Sequence, residues 1–284
     1  MSKKGRIGIG AIGCGGMGRS VISKLLKQDE RFELVAICDP DEGAIRQTRE
    51  MAKEVRVIHD YRKLVEDKEV DFVMIASWNV QHKDHLVATV QAGKDLFCQK
   101  PVATNFQDAM TMRKELGKSG RTCTIGFTLR YSPHYRKIKA LIDQGSIGRV
   151  ISMEFNETLD FNHGGYIMGD WRRLEANAGT HLLEKCCHDI DLVNWMLDSH
   201  PVKAASFGGT NFFTPENLHH QDRIGPNKDG KPAFMSWGGA INLNPFTSDK
   251  DIIDNQVAIM EYEGGIRASF HANCQAGIPE RRMY

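Results

Sequence analysis

The chain has 284 residues, 41% of them hydrophobic and 26% charged, an ordinary globular composition that excludes disordered and fibrous classes and fits one large or two ordinary domains. Its 37 basic and 36 acidic side chains leave a formal net charge of +1, which speaks against a nucleic-acid footprint, and no apolar run approaches the ~18 residues of a membrane helix. The opening MSKKGRIGIG lacks the apolar stretch of a secretion signal, and the seven cysteines include no C-x-x-C pair, so a cytoplasmic protein with neither nucleic-acid nor membrane partners is expected.

Arg6 to Ile12 reads as a short apolar strand turning on glycine. Met17 to Lys27 carries Val21, Ile22, Leu25 and Leu26 at helical spacing. Phe32 to Cys38 is a buried strand ending at Asp39, followed by a polar helix over 42–53 and a short strand over 55–58. Asp71 to Ala76 is another buried strand, 80–92 a helix stopped at Gly93, 96–98 a strand, 105–118 a helix and 122–126 a strand. Near-continuous apolar strands separated by helices predict a parallel sheet covered on both faces, and right-handed crossovers make it a doubly wound α/β domain over residues 1–126.

After Gly126 the pattern changes. Ser132-Pro133 is a capped helix start and Gly145 its stop. Strands are expected over 149–157, 203–211, 253–262 and 266–274, with one helix over about 181–198. Residues 127–284 therefore read as an α+β domain on a largely antiparallel open sheet. Residues 213–250, rich in Asn, Pro, Gly and Asp, read as a long structureless stretch, functional or mobile.

Gly13-Cys14-Gly15-Gly16-Met17-Gly18 is a G-x-G-x-x-G loop between a strand and a helix. Its first glycine makes the tight turn, the second lets backbone approach a pyrophosphate, and the third lets helix pack on strand. The helix N-terminus, at Gly16 and Met17, offers N–H groups to that phosphate. Asp39 follows 21 residues after Gly18, at the end of the next strand, where a carboxylate accepts from a ribose diol and repels a 2′-phosphate. NAD is therefore preferred to NADP.

On the wheel of the 182–197 helix, Glu184, His188, Asp191 and Trp195 share one face, and Leu182, Cys186, Ile190, Val193 and Leu197 the other. Glu184 and His188 form an i, i+4 pair able to touch, an arrangement suited to proton transfer or simply to a solvated surface. No metal is expected, because Cys186 lies on the core face and adjacent helical cysteines point about 100° apart.

Phe97-Cys98-Gln99-Lys100-Pro101 after Ala92-Gly93-Lys94, taken with the glycine loop and Asp39, resembles the Gfo/Idh/MocA oxidoreductases, named for glucose–fructose oxidoreductase, inositol dehydrogenase and a rhizopine-catabolism protein. Gly126-Phe127 through Arg130-Tyr131 resembles the family's domain-joining segment, and Trp171-Arg172 and Glu184 to Asp191 its W-R and D-x-x-x-H-x-x-D segments. Two positions depart from the pattern: Gln99 replaces the usual Glu and Glu184 the usual Asp. The chain also stops at Tyr284, where members generally continue with further strands, so either a short member or a C-terminally truncated one is expected.

The resemblance implies an NAD-dependent dehydrogenase acting on a secondary alcohol of a sugar, cyclitol or related polyol. It implies Lys100, His188 and Glu184 as catalytic residues, with Lys100 and His188 acting on the same hydroxyl. It adds Asn79, His82, Gln99 and Lys100 to the cofactor-binding set of Gly13, Gly15, Gly16, Met17, Gly18 and Asp39. Arg130, Tyr131, Trp171 and Arg172 become candidates for the polyol pocket, although Trp171 fits a core position equally. Other members imply two further readings, an NAD-using lyase or glycosidase and a non-catalytic NAD- and sugar-binding regulator. A homodimer or homotetramer is expected, because the second sheet has helices for only part of one face. A cis Lys100-Pro101 bond is also expected, since a cis turn would aim the ammonium into the expected substrate cleft.

Overall fold

The computed structural model describes residues 5–284 and divides at Gly126/Phe127 into two compact units. The first unit runs β1 (Ile7–Ile12), α1 (Gly16–Gln28), β2 (Phe32–Cys38), α2 (Glu42–Met51), β3 (Arg56–Val57), α3 (Tyr61–Glu66), β4 (Phe72–Ile75), α4 (His82–Gln91), β5 (Asp95–Cys98), α5 (Phe106–Ser119) and β6 (Cys123–Ile125). Its six strands are parallel in the order β3-β2-β1-β4-β5-β6. The order reverses between β1 and β4, the position where doubly wound sheets open a crevice at their carboxyl ends.

Burial explains the apolar strand runs. Ala11, Ile12, Val73, Met74 and Ile75 are 0–2% exposed. One face is covered by Leu64, Val65, Leu86, Val90 and Met112 from α3, α4 and α5, the other by Ile22, Ala44 and Ile45 from α1 and α2. Local chemistry sets the helix ends. Asp41 caps α2 by accepting from the Gly43 and Ala44 N–H groups at 2.7 and 3.2 Å, and Asn105 caps α5 by accepting from the Asp108 N–H at 2.8 Å. The short helix α3 has no counterpart in the sequence reading, because six residues offer too little periodicity to register.

The second unit runs α6 (Pro133–Asp143), β7 (Ser152–Asp160), α7 (Phe161–Gly169), α8 (Glu175–Ala178), α9 (His181–Glu184), α10 (Cys187–Leu197), β8 (Pro201–Gly209), α11 (His219–Ile224), β9 (Asn255–Tyr262), β10 (Arg267–Ala276) and β11 (Glu280–Met283). The sheet order is β11-β7-β10-β9-β8. Only β7 and β10 pair in parallel; the other three pairings are antiparallel. Alternate residues Met153, Phe155, Ala258, Met260, Tyr262, Ala268, Phe270 and Ala272 face α10 and α6 through Cys186, Leu192, Val193, Met196 and Tyr135. The opposite face leaves Phe207, Val257 and Ile259 exposed, with His271 in register beside Val257.

Two expectations are corrected here, and one helix is added. The single helix over 181–198 is two helices, α9 and α10, interrupted at Lys185 and Cys186, where Cys186 has ψ 0 and caps α10. Residues 161–169, for which the sequence predicts no element, form α7. Its glycines answer a steric demand: a Cβ on Gly165 would lie 1.8 Å from the Phe234 carbonyl oxygen, so backbone packs directly on backbone. The stretch 213–250 is a packed lobe rather than a structureless loop. Phe213, Phe234 and Phe246 are 0–1% exposed, and buried Asp254 accepts the N–H groups of Asn211, Phe212 and Phe213 at 3.1, 2.8 and 2.8 Å. Three charge-assisted bonds to one carboxylate tie the lobe's start to β9. Sequence periodicity misses this order because contacts between distant segments supply it.

Candidate active site

In the first unit the loops after β1, β2, β4 and β5 all leave the carboxyl edge of the sheet. Gly13 has φ +94, and a Cβ there would lie 2.4–2.5 Å from the backbone of Ala76 and Ser77, so the glycine loop sits directly on the end of β4. A Cβ on Gly18 would lie 2.2 Å from the Gly13 carbonyl oxygen, the close helix-to-loop packing expected of it. Built on Gly15 or Gly16, a Cβ meets nothing within 4 Å. The backbone at the N-terminus of the 13-residue helix α1 is thus open to an approaching phosphate, with Met17 exposed beside it. Asp39 Oδ2 accepts the Cys14 N–H at 2.5 Å and Oδ1 the Asp41 N–H at 2.8 Å. These bonds fix the carboxylate against the glycine loop and leave lone pairs for a diol. The residues present therefore fit a dinucleotide.

The β4 and β5 loops are tied together by His82. It is fully buried, with Nδ1 2.8 Å from the Pro101 carbonyl oxygen and Nε2 3.2 Å from that of Ser77. Burial holds its pKa below the ordinary imidazole value. His82, expected to bind cofactor, is thus held between the two loops through its ring nitrogens. Neighbouring His85 faces Ser77 Oγ at 2.9 Å, and burial drops its pKa to about 4. Asn79 is buried in the β4 loop, with Trp78 half-exposed beside it. Gln99 is 8% exposed, and its Oε1 accepts the Lys100 N–H at 3.3 Å. Lys100 follows, half-buried, and the Lys100-Pro101 bond is cis.

In the second unit Arg172 is the hub. Its Nη1 donates to Tyr166 Oη at 2.6 Å and its Nε to Glu184 Oε1 at 3.2 Å, while Asp170 Oδ2 lies 3.5 Å away. The guanidinium stacks over Trp171 at 4.1 Å and Tyr166 at 5.0 Å. Glu184 is buried. The break at 185–186 falls between Glu184 and His188, so the two do not share one continuous helix, and Glu184 accepts a hydrogen bond from Arg172. His188 lies in the first turn of α10, half-buried, with the Phe127 ring edge-on at 6.1 Å. Trp171 is 6% exposed and serves as the floor under Arg172.

Arg130 and Tyr131 part company. Arg130 makes a two-pronged bond to Asp191 at 2.7 and 2.6 Å and lies over Trp195, so it anchors the joining segment to α10. Tyr131 is 68% exposed. Sequence reasoning missed Tyr166, His163 and Trp237. The first two lie on the unrecognised α7, and Trp237 reaches them from the lobe: its ring stacks on His163 at 4.5 Å and lies 6.2 Å from Tyr166. The glycine pair 164–165 was the available signal, since glycines flanked by aromatics in a packed segment mark close backbone approach.

Residues 7–127 match the model of an oxidoreductase family with an NAD-binding Rossmann fold, GFO/IDH/MocA, and residues 135–284 match the GFO/IDH/MocA C-terminal domain. The chain belongs to the GFO/IDH/MocA family. Among curated relatives, an inositol 2-dehydrogenase of Saccharopolyspora erythraea is 32% identical over 199 residues, covering 70% of this chain and 56% of its own. One of Gluconacetobacter diazotrophicus is 30% identical over 202 residues, with the same coverages. The chain spans less than two thirds of the length of these curated relatives. The family fold is also seen in the crystal structure of myo-inositol 2-dehydrogenase from Lactobacillus plantarum, with TM-score 0.78 and 20% identity over 98% of this chain and 73% of that one. No helix among the described residues is long and apolar enough to cross a membrane.

Proposed function

We propose that the protein is an NAD-dependent dehydrogenase oxidising a secondary alcohol of a sugar, cyclitol or related polyol. The observation that carries the reading is the carboxyl edge of the parallel sheet, where an open glycine loop after β1, a carboxylate after β2 bonded to that loop and the strand-end Lys100 after β5 all emerge. The inositol 2-dehydrogenases among the relatives support the substrate class. When bound, the nicotinamide supplies a hydride acceptor for the alcohol carbon.

The chain's own groups do the rest. The N–H groups at Gly15, Gly16 and Met17 receive the pyrophosphate, Asp39 the adenosine ribose diol, and Asn79 and Gln99 line the same edge. Lys100 stabilises the alkoxide that develops as hydride leaves, and His188 takes the hydroxyl proton. Glu184 positions Arg172, and Arg172 with Trp171 orients substrate hydroxyls. The test is a panel of sugars and cyclitols assayed for NADH formation; no NADH with any of them counts against the reading.

Asp39 makes the cofactor preference testable. A 2′-phosphate would meet its carboxylate, so NAD is expected to bind at least about tenfold tighter than NADP. Asp39→Ala narrows the gap by weakening NAD and relieving NADP. Titration of wild type and variant with both nucleotides checks this, and equal wild-type affinities contradict it.

The outer face of the second sheet supports a homodimer or homotetramer. Phe207, Ile259 and Val257 are 77%, 62% and 48% exposed on adjacent strands, an apolar patch that a second copy would cover. Light scattering at micromolar concentration is expected to give a multiple of the single-chain mass, and Phe207→Asp to reduce it. A single-chain mass for the wild type contradicts the proposal. The seven free cysteines fit a reduced cytoplasmic setting.

A further inference from the structure

We propose that Trp237, backed by His163 and Tyr166, is a stacking platform for the ring of the substrate, so that the second unit selects a pyranose or cyclitol over an open-chain polyol. This rests on the polyol reading above and narrows it.

Trp237 is 46% exposed, whereas the neighbouring lobe aromatics Phe213, Phe234 and Phe246 are 0–1% exposed. Leu218, Ile224, Ile241 and Leu243 of the same lobe are also 37–43% exposed, and Trp237 is the large aromatic among them, a side chain suited to ring stacking. It is not loosely placed. The His163 ring stacks on it at 4.5 Å and 23°, and Tyr166 lies against it at 6.2 Å. The segment leading to it is anchored at Phe234, whose N–H donates to Asn162 Oδ1 at 2.9 Å. The Phe234 carbonyl seats where only Gly165 leaves room. His163 covers one face of the indole, and nearly half of the side chain remains exposed for a ligand.

The same helix joins this platform to the polar hub. Tyr166 touches Trp237 with its ring and Arg172 with its hydroxyl at 2.6 Å, and Arg172 reaches Glu184 at 3.2 Å. A rigid aromatic face beside convergent polar groups suits a ring with a C–H face and a rim of hydroxyls. An open-chain polyol has no fixed C–H face and would lose rotor freedom to make one.

The test uses the full chain with NAD present and three probes, myo-inositol, D-glucose and D-sorbitol. Dissociation constants come from calorimetry, KM and kcat from NADH formation. Trp237→Ala is expected to raise the Kd and KM of a cyclic probe by about tenfold or more, with kcat and NAD affinity changed less than about threefold. Trp237→Phe retains most of the affinity, and sorbitol binds more weakly than a cyclic probe and is indifferent to both substitutions. Unchanged affinity in Trp237→Ala, sorbitol binding as well as the cyclic probes, or no binding of either cyclic probe overturns the proposal. Tight binding lost in Trp237→Ala without NADH formation leaves the platform standing and removes the dehydrogenase reading. NADH formation indifferent to Trp237 does the reverse.

Discussion

Lys100→Ala and His188→Ala are each expected to lower kcat by about 10²- to 10⁴-fold, the range for a positioned acid–base group, while NAD affinity stays within about threefold. Lys100 leaves the end of β5 with its backbone N–H on Gln99 and with Pro101 held by His82. Its position is therefore set by the loop and not by the cofactor. His188 sits at the start of α10, whose Leu192, Val193 and Met196 are 0–1% exposed in the sheet core, and removing the imidazole leaves that anchoring intact. Glu184→Gln is expected to cost less than His188→Ala, because it keeps a hydrogen-bond acceptor for Arg172 and removes only the charge. Steady-state kinetics with circular dichroism as a fold control checks all three. A His188→Ala enzyme with near wild-type kcat would remove His188 from the proton path.

The largest stability effect is expected from a charged cluster under the second sheet. Arg281 on β11 is ion-paired with Glu157 of β7 and bonded to Asp189 of α10 at 2.8 Å, and Lys185 lies 3.7 Å from Glu157. Burial pushes the Asp189 carboxyl up to about 7, although Arg281 pulls the other way, and burial also raises Glu157. Both folded-state values lie above the unfolded ones, so these acids favour the fold most when protonated at low pH. That contribution is lost as pH rises from about 4 through about 7. Arg281 matters most where they ionise. Arg281→Met should cost about 3–5 kcal/mol at pH 8, where it strands buried carboxylates, and clearly less at pH 5. Thermal or denaturant unfolding at both pH values measures it, and an equal loss at the two would contradict the cluster's titration.

The first unit was legible because its signals are local. A buried strand, a G-x-G-x-x-G loop and an acid at the next strand's end occupy one continuous stretch, and the parallel sheet follows from repeating that unit. The second unit was legible only as a class. The break between α9 and α10 leaves no mark in the hydrophobic stripe, since Cys186 and Val193 are buried on either reading of the wheel. Arg172 was visible as part of a family segment, but its bonds to Tyr166 and Glu184 depend on α7, whose glycines disguise a helix. Arg281 lies 92 residues from Asp189, beyond any periodicity argument. His82 matched a motif position, but the contacts of both its ring nitrogens with backbone carbonyls depend on the loops after β4 and β5 meeting, which no local pattern shows.

The most direct test of the central claim is stoichiometry. Purified protein, excess NAD and the best cyclic polyol from the panel are allowed to react, and NADH and products are quantified together. Net dehydrogenation predicts one NADH for each molecule of ketone product, with no turnover in the absence of NAD. Product formed with only catalytic NAD and no accumulating NADH would mean a lyase or glycosidase, and binding without any product a regulator; either result would contradict the account.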